Sequence, residues 1–82
     1  MNPMQSFFER RPASLDTDQP SVRHIQDWIR HQIPVAIQIH GGEELTGTIQ
    51  WQDLQYLALN PGQGKPLILI QRQSAALMRP LG

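Results

Sequence analysis

Past Pro34 the spacing of apolar residues changes from the 3.6 of a helix to the 2 of a strand, and it does not change back. Before that point, Val22, Ile25, Trp28 and Ile29 share one helical stripe, with Arg23, Gln26, Asp27 and Arg30 off it. Pro20 suits a first helical turn, and Asp18 or Ser21 is placed to cap it. Pro34 disfavours helical geometry in the residue before it. One helix over 20–32 is therefore expected. Beyond it, "VAIQIH" sets Val35, Ile37 and Ile39 against Ala36, Gln38 and His40, and "GGEE" is a turn. "LTGTIQWQD" sets Leu45, Ile49 and Trp51 on the apolar face against Thr46, Thr48, Gln50 and Gln52, and "LQYLALN" follows with Leu57 and Leu59 on one face. "PGQGK" is a loop, "PLILIQRQ" a strand apolar on both faces and so expected to be buried on both sides, and "SAALMRP" a last strand. The strands are expected at about 34–40, 45–53, 54–60, 66–73 and 75–79.

Five short antiparallel strands do not make a wide sheet. The economical solution is a small, strongly bent barrel with the helix across one open end. Gly47 then makes sense. It stands on the apolar face of its strand, between Leu45 and Ile49, where a side chain would be expected. Glycine there allows a sharp bend and a close approach of the facing strand. Asp53, which ends that strand, has no partner carboxylate or histidine at a recognisable spacing. Its expected role is to accept backbone N–H bonds in the next turn; no catalytic residue is assigned, and the protein is not expected to be an enzyme. The barrel leaves strand edges with too few partners, and edge-to-edge pairing with further copies is the natural way to satisfy them.

The 82 residues allow one domain with a modest core, which oligomerisation commonly supplements. Seven basic and seven acidic residues cancel. Residues 1–19 carry Arg10 and Arg11 against Glu9, Asp16 and Asp18, net −1; the remainder carries five cations against four acids, net +1. Any nucleic-acid site must therefore be a local patch, not a global field. There are no cysteines, hence no disulfide and no thiolate metal site. His24 and His31 are seven residues apart on the helix, about 10.5 Å along its axis, too far to share a metal; no metal and no cofactor is implied. "NPGQGK" lacks the spacing of a phosphate loop. No apolar run is long enough to span a membrane, and "MNPMQSFFERRPASLDTDQP" has no apolar signal-peptide core. A soluble cytoplasmic protein is the expectation. Residues 1–19 read as a flexible tail; within it, "FFERRP" is either a chance aromatic pair or a short segment that docks on a partner or on RNA. Trp51 is expected to pack on the barrel or a neighbouring subunit, with base stacking as the alternative.

The helix opening "PSVR", "PV.I" at 34–37, "G…L.G.I" at 42–49 and "WQD" at 51–53 together resemble the Sm-like fold. Within that fold, the chain resembles the bacterial RNA chaperone family Hfq, particularly its divergent cyanobacterial branch. The likeness spans 20–80, and its spacing from Pro34 through Gly47 to Asp53 is its most specific part. It implies a mainly β, five-stranded, SH3-like bent barrel over 20–82 with an N-terminal helix. It also implies a homohexameric ring, closed by the last strand of one subunit adding to the next. The implied function is RNA-binding post-transcriptional regulation on single-stranded RNA, without catalysis.

Family members use three RNA surfaces. In the proximal pore the family's Lys-His pair falls at Arg72 and Gln73, its glutamine at Leu54, and its stacking aromatic at Gln55, beside Tyr56. The helix glutamine falls near Ser21. On the distal face the matching positions are Gln38, Gly42, Glu43, Glu44 and Thr46, and on the rim Arg30 and His31. Charge is kept at Arg72 while most base-reading groups are replaced, which implies weak RNA affinity. A strand-borne Arg72 would ring the pore, or else pair with Asp53 or Asp27 of a neighbour. The cyanobacterial likeness also implies an alternative role: a ring that docks a protein such as the motor ATPase of type IV pili and acts in motility. Glu43 and Glu44 would suit a basic protein segment.

Overall fold

The structure, a computed structural model, describes residues 14–82. The "FFERRP" segment lies outside the described residues. Helix α1 (Pro20–Arg30) is followed by β1 (Pro34–Ile39), β2 (Glu44–Gln52), β3 (Tyr56–Asn60), β4 (Ile68–Gln71), a 3-10 turn (Arg72–Ser74) and β5 (Ala75–Pro80). The strands form one antiparallel sheet in the order β4-β3-β2-β1-β5. This is the bent five-stranded sheet with an N-terminal helix that the sequence led us to expect.

The helix begins differently from expectation. Its N-cap is Gln19, with no side-chain cap bond, and neither Asp18 nor Ser21 fills that role. The Asp18 N–H is instead donated to the Asp16 carboxylate at 2.9 Å in a local turn, and Pro20 at the first position leaves one orphan donor fewer to cap. The helix stops at Arg30, two residues before 32. Gln32 turns left-handed at φ 52, the Gln32 N–H donates to Ile29 O at 3.2 Å, and the Ile33 N–H donates to Trp28 O at 3.0 Å. These two bonds are a Schellman-type stop, with glutamine in the seat that usually takes glycine.

Val22 and Ile25 of the helical stripe are buried, and Trp28 and Ile29 pack on the core edge. They close one end of a cluster made by Val35, Ile37, Ile49, Leu57, Leu59 and Ile70. Each such aliphatic side chain contributes about 1.5–3 kcal/mol by leaving water. Gly47 lies where β2 passes closest to the end of β3. A Cβ placed there would strike the Asn60 carbonyl oxygen and would lie 2.9 Å from the Asn60 carbonyl carbon and 3.0 Å from Pro61 Cα. The gap in the apolar face is filled by backbone.

Four strand expectations need correction. β2 carries a bulge: Ile49 faces Leu59 and Trp51 faces Ala58, so Gln50 is an extra residue. The bulge inverts the alternation beyond it. Trp51 turns to the outer face, 41% exposed, while Gln52 turns inward opposite Leu57. β3 starts at Tyr56, two residues later than 54, because the Asp53 turn takes up Leu54 and Gln55. The run 67–70 is not buried on both sides: Leu67 and Leu69 are about half exposed, since β4 is an edge strand whose outer face none of the described residues covers. Ala36, assigned to the outer face, is buried because it sits on a central strand between Thr46 and Arg79.

Candidate functional site

The turn after β2 is built by Asp53. Its carboxylate Oδ1 accepts the Gln55 N–H at 2.9 Å and the Tyr56 N–H at 2.7 Å, and its own N–H donates to Tyr56 O at 2.9 Å. This is the role expected for it. Both bonds use the same oxygen, a geometry short polar side chains adopt at turns. The effect is to present Leu54, Gln55 and Tyr56 on one wall. The Arg72 N–H donates to Gln55 O at 2.8 Å, which ties the 3-10 turn to this wall.

Between the two lies a cleft of about 590 Å³, lined by Leu54, Gln55, Tyr56, Gln71, Arg72 and Gln73. All five residues assigned to the proximal pore are therefore brought together, from three elements. Arg72 is on the 3-10 turn, not on a strand, because β4 ends at Gln71. Its guanidinium donates from Nη1 to Gln52 Oε1 at 2.9 Å. The described residues contain two ion pairs, Arg30 with Asp27 and Arg79 with Glu44, so none of their carboxylates pairs with Arg72. Tyr56 is half-buried, and Gln55 and Leu54 are exposed beside it.

The rim and distal positions look different. Arg30 donates to the Asp27 carboxylate at 3.2 Å with both side chains mostly in water, and His31 is exposed at the helix end. The rim arginine is thus compensated locally. Gln38, Gly42, Glu43, Glu44 and Thr46 are all exposed. Gln38 faces Glu44 across the strand pair, with Thr46 two residues on. Arg79 on β5 reaches over β1 to Glu44 at 3.1 Å. A cleft of about 500 Å³ places Glu44 and Thr46 with Lys65 from the loop before β4. The acids at 43–44 are therefore accompanied by two cations that the sequence reading did not assign to this face. Among the described residues no three His, Asp or Glu side chains come together to hold a metal ion. No helix among them is long and apolar enough to cross a membrane.

Gln52 is the site residue that sequence reasoning missed. Alternation put it with Thr46, Thr48 and Gln50 on the outer face. Only the bulge at Gln50 turns it inward, and a bulge of this kind has no residue signature in "TIQWQ".

A family model described as Hfq related matches residues 19–80. No curated protein matches the chain. Among solved structures, an Hfq protein from Anabaena sp. is 30% identical, with a TM-score of 0.67, over 74% of this chain and 95% of that one. A second crystal structure, of the pleiotropic translational regulator Hfq, is 20% identical with a TM-score of 0.70, over 80% of this chain and 97% of that one, and bears on the fold alone. The family match covers the helix, all five strands and the cleft between the Asp53 turn and the 3-10 turn. The chain belongs to the Hfq-related family.

Proposed function

We propose that the protein is a ring-forming RNA-binding regulator that holds single-stranded RNA in the cleft around Arg72. The observation that carries this reading is the state of that arginine. Its guanidinium is oriented by a neutral amide and not by a carboxylate, so a full positive charge stands in a cleft with Tyr56 and Gln55. A phosphate is the anion that single-stranded RNA offers there, and Tyr56 provides a ring edge or face for a neighbouring base. Base reading is limited, because Leu54 and Gln55 stand where the family carries its glutamine and aromatic. Affinity is accordingly weak, and salt-sensitive.

The strand edges support the ring. β4 and β5 are the two outer strands of the sheet, and Leu67, Leu69 and Leu77 on or next to them are about half exposed. Adding β5 of one copy to β4 of the next satisfies both edges and covers these leucines. Six copies would bring six Arg72 clefts around one axis. Binding of U-rich and A-rich oligomers, read by fluorescence anisotropy, tests the assignment. Binding that Arg72→Ala weakens supports it; no binding by the wild type below tens of micromolar removes it.

A second reading is protein docking on the opposite face, with a partner such as a type IV pilus motor ATPase. It is favoured by Glu43, which is exposed and outside both ion pairs. A basic partner whose binding is lost in Glu43→Lys, with RNA binding absent, would favour this reading over the first.

A further inference from the structure

The bond that orients Arg72 is itself anchored at a distance. Gln52 donates from Nε2 to Val22 O at 3.2 Å and to Gln26 Oε1 at 3.0 Å. Both acceptors belong to α1 and lie one turn apart on it. An amide nitrogen with two acceptors has its orientation fixed, so the carbonyl end must point the other way. That end is the Oε1 that receives Arg72 at 2.9 Å. Gln52 is half-buried and Gln26 exposed. The path therefore runs from the helix through one inward-turned side chain to the cleft.

We infer that Gln52 is the positioning residue of the Arg72 cleft: a neutral tether that aims the guanidinium, from an anchor on α1, without cancelling its charge. This inference rests on the reading of Arg72 as the phosphate contact. Three features of the surroundings make the tether specific. Asp53, adjacent in sequence and an obvious ion-pair partner, has its Oδ1 engaged by the N–H groups of Gln55 and Tyr56. The amide takes one of the five N–H donors of the guanidinium, which leaves most of the fork for a ligand. A long, rotamer-rich side chain held in place before binding loses less entropy when the anion arrives. The β2 bulge acquires a function in this scheme, since without the extra residue Gln50 the amide would point into solvent on the outer face.

A double-mutant cycle on the full chain, with U-rich RNA as the probe, tests the tether. Arg72→Ala is expected to weaken binding about tenfold, the scale of one charge-assisted hydrogen bond. Gln52→Met, which keeps the shape and removes the amide, is expected to weaken it about three- to tenfold, the scale of one freed side chain. The double variant should be no weaker than Arg72→Ala alone, because an untethered alanine has nothing to aim. Multiplying effects, or a Gln52→Met protein that binds like wild type while Arg72→Ala does not, would overturn the tether and leave the RNA reading standing. An unchanged Arg72→Ala would instead remove the RNA reading. The tether is then judged on the guanidinium NMR signals of Arg72, which should show hindered Nη rotation in wild type and free rotation in Gln52→Met; free rotation in both overturns it. If Gln52→Met does not fold, Gln26→Ala removes one anchor at an exposed position. It should weaken RNA binding in the same direction but less, and no change there counts against the tether.

Discussion

Replacing Gly47 by alanine should be the most damaging one-carbon change in the protein. The added Cβ meets backbone only: the Asn60 carbonyl and Pro61 Cα. No side chain is available to swing aside. Carbon atoms rest at about 3.5–4.0 Å, so the Asn60 carbonyl carbon, 2.9 Å from the new Cβ, must retreat by about 0.6–1.1 Å. That motion opens the Thr48–Asn60 pairing at the end of the β2–β3 ladder. Gly47 also sits at φ 157, which a side chain disfavours. Overpacking costs about 1–3 kcal/mol, and the backbone conformation adds to it, so about 3 kcal/mol or more is expected. For a domain of this size each kcal/mol moves Tm by about 4–8 °C, which gives a fall of about 12–24 °C. The assay is thermal unfolding followed by far-UV circular dichroism, at equal protomer concentration because association shifts Tm. Gly42→Ala is the internal control. A Cβ there finds its nearest neighbour, His40 O, at an ordinary 3.8 Å, and its Tm should match or slightly exceed wild type. A Gly47→Ala protein within 4 °C of wild type would refute the close-approach account of this residue.

Further expectations are smaller. Gln32→Gly relieves the left-handed residue that ends α1 and should stabilise by about 1 kcal/mol, raising Tm in the same experiment; a loss of stability would contradict the Schellman-type stop. Asp53→Ala removes two charge-assisted bonds in an exposed turn and should cost about 1–2 kcal/mol. It should also weaken RNA binding, because Gln55 and Tyr56 lose their fixed placement. Native mass spectrometry should find six copies of the 9.4 kDa chain, and Leu69→Asp on the exposed edge strand should shift that population to smaller species. A monomeric wild type would remove the edge-pairing argument.

The sequence made some of these features legible and hid others for definite reasons. The helical stripe and the switch to period 2 announced the order of elements, because amphipathic periodicity is a local property. Gly47 and Asp53 were legible because each stands out in its own neighbourhood. The one is a gap on an apolar face; the other is a carboxylate at a strand end. The bulge at Gln50 is not legible, and without it strict alternation places Trp51 on the inner face and Gln52 on the outer, the reverse of what the structure has. The exposure of Leu69 was hidden for another reason. An apolar run does not say whether its strand is central or at an edge. The Arg72–Gln52 bond joins residues 20 apart in the chain, and no periodicity relates them. The proximal residues were found by resemblance, and the structure gathers them into one cleft; the amide that aims the arginine was found only from the geometry.

The salt dependence of RNA binding tests the central claim most directly. Each phosphate contact to single-stranded RNA contributes about 0.7 to the slope of log K against log salt. The slopes for wild type and Arg72→Ala should be measured with a U-rich oligomer. The account predicts measurable binding with a negative slope in wild type, and a clearly shallower slope in Arg72→Ala. Equal slopes for the two proteins would contradict it, because Arg72 would then make no phosphate contact.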